Sequence, residues 1–513
     1  MHRRELLRQA GLLGGAVALG GPRLLTGGSG DGEDGRAGRV TGSPRDLLDG
    51  QASDAPIDTV VVVMMENRSF DHYLGWLGRD DDYLEKGRRR HGRRFRVNGR
   101  QRHEAVGPDG VTVTGEAWAD RAGEPNPFRG CGHPDPGHSW DQGRAQRDGG
   151  FLAPGSGNDA FALGYFEAES VPFISRLARE FTVFDAWHAS VLGPTFPNRE
   201  YLHSGQSGGH KVNDFPTSDG FPWETIWERL AGANVPAKYY WTDLPALGLW
   251  GPRHAGFMHD IEDYFTDAEA GRLPNVVMVD PAFLTGNRTD DHPRADIRAG
   301  QAFMRDVFAA FVESPHWESG LFILTYDEWG GFADHVVPPV LPDDLASPND
   351  GDNFGQAGFR VPTVVASPYA RRGFVDHRTY DHTSILRFLE WRFLGAPPEG
   401  PGKASADWFL TTRDRNAKNL GASLLGARRD ADADVGFDLD VTIAPPSAPC
   451  PEDGGPPLPA PSGAATPALA TQALEAHALE DGLDNGYFER IGHDVRPSAL
   501  VPRWVGAAAN ASW

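Results

Sequence analysis

The sequence is short of cysteine, of long apolar runs and of net positive charge. It has only two cysteines in 513 residues, Cys131 and Cys450, too few for a fold held together by disulfides. They can form one bridge in an oxidising compartment or remain two separate thiols, and their spacing does not decide between these alternatives. Beyond the N-terminus, no apolar segment reaches the length of about 20 residues that a membrane-spanning helix needs.

The charge balance excludes some classes of partner. The formal net charge is -22, whereas nucleic-acid binders usually present a basic face, so we expect no nucleic-acid partner. The acidic surface also gives no general attraction to anionic lipid. An anionic substrate would therefore need local positive charge at its site, most simply from a metal ion.

The N-terminus has the features of an export signal. Arg3 and Arg4 precede a mild Gly/Ala-rich apolar run from Ala10 to Gly21, a pattern typical of twin-arginine signals, although an ordinary basic start is the alternative. We predict a signal peptide over residues 1–30 and a disordered linker over 31–55, and therefore a secreted or cell-envelope protein.

The body of the chain, residues 56–440, alternates short apolar runs with amphipathic stretches. The run Ile57–Met65 is apolar almost throughout, as in a strand that is buried on both faces. Further strands are predicted at Asn275–Asp280, Leu321–Tyr326 and Val361–Ser367, and helices at Pro172–Glu180, Pro222–Leu230, Asp296–Glu313 and Thr383–Phe393. This alternation predicts an α/β fold with a mostly parallel central sheet and helices on both faces.

The other segments lack clear periodicity. Residues 79–130 and 340–358 are rich in Gly, Pro and charge, and we expect long loop insertions there. Residues 441–472 are predicted to form a Pro/Ala-rich linker, and residues 473–513 a C-terminal tail, with one short predicted helix at Thr471–Leu479.

Oxygen-bearing side chains follow two of the predicted buried strands. Glu66 and Asn67 come directly after one strand, and Asp327 and Glu328 directly after another. Ligands of open α/β sheets bind at the carboxyl ends of strands, and buried acids there are costly unless they are paired or bind a cation. We expect these residues to bind one divalent metal ion, with calcium or magnesium favoured by the oxygen ligands. The alternative for Glu66 and Asn67 is a helix cap.

The segment Gly193–Arg199 (GPTFPNR) is predicted to be a rigid turn because it contains one glycine and two prolines. Thr195 is its only hydroxyl and could act as a nucleophile if a metal lowers its pKa. Arg199, with Asn198 beside it, could hold a phosphate group. A surface turn stabilised by proline is the simpler interpretation of the segment in isolation.

Histidines are candidates for proton transfer and for contacts with phosphate oxygens. Among the 18 in the chain, His138 and His292 are the strongest candidates, followed by His335 and His382, and His382 could instead belong to a helix cap.

Seven motifs occur in order along the chain: VVVMMENRSFDHYLG (61–75), DPGHSW (135–140), LGYF (163–166), GPTFPNR (193–199), YDEWGGFADHVVPP (326–339), FRVPTVVASPYAR (359–371) and DHTSILRFLEWRF (381–393). In sequence and in order they resemble the motifs of the bacterial phospholipase C / acid phosphatase phosphoesterase family, and the resemblance covers residues 57–395.

The resemblance implies an alkaline-phosphatase-like core with one active-site metal. It implies that the metal is held by the residues matching Glu66, Asn67, Thr195, Asp327 and Glu328, and that the Thr195 hydroxyl attacks phosphorus. It further implies that the residues matching His138 and His292 contact the phosphate.

We therefore expect an exported phosphoesterase that hydrolyses phospholipids or related phosphate diesters through a covalent intermediate, with transient contact to membrane surfaces. The alternatives are an acid phosphatase that acts on monoesters and a non-catalytic secreted binding homologue. A sulfatase-like activity is disfavoured, because that chemistry usually needs a Cys or Ser at the position of Thr195.

Overall fold

The computed structural model describes residues 46–107, 110–120, 126–216, 220–284, 288–399, 408–427 and 441–451, which belong to one compact unit. The predicted signal peptide, most of the N-terminal linker and the tail with its helix lie outside these residues.

The strands are short and mostly buried. They are β1 (Thr59–Met65), β2 (Glu104–Val106), β3 (Thr112–Thr114), β4 (Thr182–Phe184), β5 (Ala237–Trp241), β6 (Met258–Asp260), β7 (Val276–Val279), β8 (Gly320–Tyr326), β9 (Val364–Ala366) and β10 (Phe374–Asp376).

The α-helices lie between these strands and after them. They are α1 (Phe70–Tyr73), α2 (Asp81–His91), α3 (Trp140–Gly149), α4 (Pro172–Glu180), α5 (Thr195–Ser204), α6 (Ile226–Gly232), α7 (Ile261–Glu269), α8 (Ile297–Glu313), α9 (Thr383–Leu394) and α10 (Thr412–Asn416). Short 3-10 helices span Leu47–Asp49, Ala52–Asp54, Gly75–Arg79, Trp118–Asp120, Ala160–Leu163, Ala246–Trp250, Pro252–Phe257, Pro315–Ser319, Asp350–Asp352 and Leu420–Ser423.

The main sheet has the strand order β10-β4-β9-β8-β1-β7-β5-β6. All neighbours are parallel except β9, which runs antiparallel to both β4 and β8. Every residue of the central strands β1 and β8 is buried, so both faces of the sheet are covered. The predicted α/β fold with a mostly parallel sheet is confirmed.

Two groups of helices cover the sheet. Helix α8 packs against α4 and α7, and α9 packs against α5, α6 and α10. The amphipathic stretches predicted at Pro172–Glu180, Asp296–Glu313 and Thr383–Phe393 are helical almost to the residue. No helix within the described ranges combines the length and the apolarity that a bilayer crossing requires.

Two parts of the chain are more ordered than the sequence predicted. The segment 79–130, expected to be a loop, contains α2 and the β2-β3 hairpin. Helix α2 is capped by Asp80, whose side chain accepts a hydrogen bond from the Tyr83 N–H. The predicted linker begins at 441, yet residues 441–451 are attached to the body. Ser447 hydrogen bonds to Asp296, and Cys450 forms a disulfide with Cys131.

Candidate active site

The ends of β1 and β8 meet at one point of the sheet edge. Met65 and Tyr326, the last residues of the two strands, are register partners, and the Asp327 N–H donates to the Met65 carbonyl at 3.1 Å. The Asn67 N–H then donates to Asp327 Oδ1 at 2.9 Å. Because parallel strands in register end together, Glu66 and Asn67 lie beside Asp327 and Glu328.

The turns after both strands need unusual backbone conformations. Asn67 has φ 60° and Gly330 has φ 62°, both in the left-handed region. The two turns are so close that a Cβ on Gly330 would lie 2.0 Å from the Asn67 carbonyl oxygen. The glycine therefore allows the two loops to approach each other.

Thr195 is the first residue of α5. The segment predicted to be a rigid turn is instead a helix start: Pro194 is extended, the helix begins at Thr195, and Pro197 fits in the first turn, where backbone N–H groups have no helical partner. The Thr195 hydroxyl donates to Asn67 Oδ1 at 3.3 Å. The candidate nucleophile thus contacts the residue that links the two strand ends.

Asn198 and Arg199 face inward, in contrast to the predicted contact with phosphate. The Asn198 amide donates to the carbonyls of Val191, Gly193 and Pro194, so it holds the approach to α5. The Arg199 guanidinium lies 3.0 Å from Asp280, 3.4 Å from Glu66 and 3.6 Å from Asp327. Both side chains interact with these buried groups, and we expect them to position the site residues and not to bind the phosphate.

His138 and His292 lie side by side, with ring centroids 5.7 Å apart. Nδ1 of His138 is 2.7 Å from the Pro136 carbonyl, and Nδ1 of His292 is 3.0 Å from the Pro293 carbonyl. A carbonyl only accepts hydrogen bonds, so each Nδ1 carries a proton, and Nε2 is the nitrogen of each ring that could hold a lone pair. His138 Nε2 accepts from the Asn67 amide at 3.3 Å, which joins this pair to the strand ends.

Asp135, which lies in the DPGHSW motif, was not among the predicted site residues. Its carboxylate lies 3.6 Å from His292 Nε2. One ligand atom each from Asp135, His138 and His292 lies within 4.8 Å of the other two, so this group could also hold a metal. Asp135 could have been predicted as a site residue from its position three residues before His138, with Pro136 and Gly137 between them.

His335 and His382 occupy different surroundings. His335 Nδ1 lies 2.6 Å from Asp71, in a network with His103, Asp334 and Arg360 that ties α1 to the loop after β8. The ligand atoms of Asp71, Asp334 and His335 lie close enough together to hold a metal, and the catalytic role of His335 stays a prediction. His382 is the N-cap residue of α9, as the helix-cap alternative expects, but its side chain makes no capping hydrogen bond. Its Nε2 donates instead to the Asp327 carbonyl at 2.6 Å and so supports a strand end.

The carboxylates at the strand ends are short of positive charge. Burial raises the pKa of Glu66 well above its usual range, although Arg199 opposes the rise, and burial likewise raises the pKa of Glu328. Within the described residues, Asp327 Oδ2 and Glu328 Oε1 are buried and accept no hydrogen bond. Buried carboxylate oxygens without donors fit a hard divalent cation, so these residues suit the metal that the sequence predicts.

Fold and site together define an α/β protein in which acids suited to a cation, and a hydroxyl on a helix terminus, lie at the carboxyl edge of a mostly parallel sheet. The Phosphoesterase family model matches residues 57–394. The chain belongs to that family and is a hydrolase of phosphoric ester bonds.

Two relatives illustrate the similarity. Non-specific phospholipase C6 of Arabidopsis thaliana is 32% identical over 368 residues, which cover 64% of this chain and 67% of that protein. Phospholipase C B of Mycobacterium tuberculosis (strain ATCC 25618 / H37Rv) is 32% identical over 403 residues, covering 66% of this chain and 74% of that protein.

Among solved structures, the chain is similar to a protein in the alkaline phosphatase superfamily from Vibrio parahaemolyticus. The two share 13% sequence identity and a TM-score of 0.29, over 43% of this chain and 59% of that chain. A likeness this low adds nothing about the chemistry of the site.

Proposed function

We propose that this protein is a phospholipase C-type phosphodiesterase that uses Thr195 as its nucleophile. The observation that carries the proposal is the hydrogen-bond chain from the Thr195 hydroxyl through Asn67 to Asp327, which unites the start of α5 with the ends of β1 and β8. The named relatives are phospholipases C, which favours phospholipids or related phosphate diesters as substrates.

A divalent metal would be held by Glu66, Asn67, Thr195, Asp327 and Glu328. When bound, the metal would lower the pKa of the threonine hydroxyl and neutralise charge on the phosphoryl oxygens. The oxygen-only ligand set favours calcium or magnesium over softer metals. Arg199 compensates part of the negative charge of Glu66 and Asp327, which it contacts.

The position of Thr195 supports its attack on phosphorus. It is the first residue of a ten-residue helix, and the N-terminal end of a helix favours negative charge through its exposed N–H groups and its dipole. Attack forms a bond between Thr195 Oγ1 and phosphorus and breaks the bond to the leaving alcohol. Water then cleaves the phosphothreonine bond and restores the hydroxyl.

The two imidazoles are suited to move the proton. Burial lowers the pKa of His292 well below its usual value, which keeps the ring neutral with its lone pair on Nε2. The proton released by Thr195 can pass to Nε2 of His292 or His138 and from there to the departing oxygen, which leaves as an alcohol. Cleavage of phosphatidylcholine in this way would release diacylglycerol and phosphocholine.

The test compares Thr195→Ala with Thr195→Ser on a chromogenic phosphocholine diester and a chromogenic phosphate monoester. We expect Thr195→Ala to lose at least about a thousandfold in turnover, while Thr195→Ser, which keeps a hydroxyl, retains a measurable part. Faster turnover of the monoester by the wild type would favour an acid phosphatase. An unchanged rate in Thr195→Ala would reject the nucleophile, and inertness of the wild type toward both substrates would reject the enzymatic proposal.

We also propose that the protein is exported. The Cys131–Cys450 disulfide supports this, because such bonds persist in oxidising compartments. The predicted twin-arginine signal gives the test. Arg3→Lys/Arg4→Lys should leave the precursor in the cytoplasm of the producing cells, whereas equal secretion of both forms would reject the twin-arginine route.

A further inference from the structure

Arginines at the proposed site differ in what their guanidinium groups contact. Arg199 lies among buried carboxylates, and its side chain is 2% exposed. Arg68 donates from Nε to the Asp291 carbonyl at 2.7 Å, and its guanidinium lies 4.7 Å from the centre of the Phe332 ring. Both guanidinium groups are engaged by the protein interior, so neither is suited to contact an anionic substrate directly.

Arg288 has a different environment. Its Nε donates to Asp290 Oδ2 at 3.0 Å, and its Nη2 lies 2.9 Å from the same oxygen. These two contacts use one edge of the planar guanidinium, whereas a second edge, formed by Nη1 and Nη2, can bind two further oxygens. The side chain of Asp290 is fully buried, and that of Arg288 is 10% exposed. Asp290 therefore holds the arginine from the protein interior and leaves the second edge for a ligand.

Asp290 connects Arg288 to both parts of the proposed site. Its carbonyl accepts a hydrogen bond from the Glu66 N–H at 2.8 Å, directly after the end of β1. Its Oδ1 accepts from the His292 N–H at 3.1 Å, while its Oδ2 contacts Arg288. A candidate metal ligand, a candidate proton carrier and a guanidinium therefore surround one buried aspartate.

The charge of Arg288 acts on the same two residues. Burial lowers the pKa of His292 well below its usual value, and the positive charge of Arg288 lowers it further. Burial raises the pKa of Glu66, and the positive charges of Arg199 and Arg288 oppose the rise. The guanidinium therefore lies within electrostatic range of both groups that the proposed mechanism places beside the phosphoryl group.

We propose that Arg288 binds the phosphoryl oxygens of the substrate, in the role that the sequence suggested for Arg199. The proposal rests on the phosphoesterase function proposed above. A phosphodiester carries its negative charge on two oxygens that bond only to phosphorus, and the Nη1–Nη2 edge of a guanidinium matches such a pair. Since these oxygens stay charged while Thr195 attacks, Arg288 assists both substrate binding and the reaction.

The first experiment titrates inorganic phosphate into the protein in a calorimeter, which needs no turnover. Arg288→Gln should raise the Kd of phosphate at least about tenfold, because it removes charge-assisted hydrogen bonds. Arg288→Lys keeps the charge opposite Asp290 but has no planar edge, so its Kd should rise less, by about threefold. The lysine variant decides the question if Arg288→Gln fails to fold.

Arg298→Gln is the matched control. Arg298 forms the same kind of pair with an aspartate two residues away, since its Nε and Nη2 lie 2.8 and 2.7 Å from the carboxylate oxygens of Asp296. Its side chain is 15% exposed, close to the value for Arg288, but its guanidinium lies over the Phe128 ring. This variant should bind phosphate with the Kd of the wild type.

The second experiment measures kcat and KM on a soluble chromogenic phosphocholine diester. Arg288→Gln should lower kcat/KM at least about tenfold, with Arg288→Lys between it and the wild type and Arg298→Gln unchanged. If the wild type fails to cleave the diester while its phosphate binding depends on Arg288, the proposed function is rejected and the phosphate contact is supported.

The assignment of Arg288 would be overturned by a wild type that binds no phosphate, or by an equal loss of phosphate binding in Arg298→Gln. It would also be overturned by an unchanged Kd in Arg288→Gln, or in Arg288→Lys if only that variant folds, and by an unchanged kcat/KM in Arg288→Gln when the wild type is active.

Discussion

Within the described residues, Asp327 and Glu328 each have one buried carboxylate oxygen that accepts no hydrogen bond. Arg199 is shared between Glu66, Asp280 and Asp327, so one guanidinium faces three carboxylates. Burial of an ionised carboxylate costs several kcal/mol unless it is fully paired, which makes a bound cation the natural complement of these two unsatisfied oxygens.

The metal ligands can be identified by substituting one residue of the strand-end acids and one residue of the histidine group. Glu328→Gln should lower the bound divalent metal from about one per chain to near zero. A ligand that binds only the folded state at 100 times its Kd adds about 2.7 kcal/mol to stability, so chelation should lower the Tm of the wild type. The Tm of Glu328→Gln should not change on chelation. Elemental analysis and thermal unfolding with and without chelator measure both effects.

His292→Asn is the companion variant, because His292, with Asp135 and His138, belongs to another group that could hold a metal. We expect it to keep the metal and to lose turnover. Loss of metal from His292→Asn with retention in Glu328→Gln would place the ion on the histidine group and contradict the oxygen ligand set.

At the scale of elements, the site depends on how closely the turns after β1 and β8 approach each other. Gly330→Ala should destabilise the protein by at least about 1–2 kcal/mol and reduce turnover, because alanine is strained at φ 62° and its Cβ would meet the Asn67 carbonyl. Urea unfolding and the diester assay measure the two effects.

Gly232→Ala is the matched control for this prediction. Gly232 ends α6, and a Cβ added there would contact nothing within 4 Å. Its free energy of unfolding should stay within about 1 kcal/mol of wild type. A Gly330→Ala variant as stable and active as this control would show that the close approach of the turns has no bearing on the site.

The elements that the sequence predicted well are those with uninterrupted local patterns. The apolar run before Glu66 predicts a strand and the periodicity of Asp296–Glu313 predicts a helix, each from neighbouring residues alone. The end of the strand at Glu66 could therefore be located from the sequence. The start of α5 could not, because Pro194 and Pro197 read as turn residues, although proline is tolerated in a first helical turn. The antiparallel direction of β9 and the orientation of the Arg199 side chain toward buried carboxylates depend on residues far away in the sequence. No local sequence pattern predicts such contacts.

For the whole molecule, one covalent link joins residues 319 apart. The Cys131–Cys450 disulfide fastens residues 441–451 to the body beside Asp296. Cys131→Ser/Cys450→Ser should lower the free energy of unfolding by about 2–5 kcal/mol, mainly by freeing the unfolded chain. Urea unfolding of the wild type with and without reductant provides the comparison, and the double variant should be insensitive to reductant. An equal free energy of unfolding for the wild type and the double variant would show that the disulfide does not stabilise the protein.

The most direct test of Thr195 as nucleophile is to trap the covalent intermediate. The wild type is mixed with excess phosphocholine diester, quenched in acid within the first turnover, and digested for peptide mass spectrometry. The mechanism predicts a phosphocholine adduct on Thr195, which Thr195→Ala should lack. An adduct on another residue, or steady turnover by Thr195→Ala with no adduct in either protein, would contradict it.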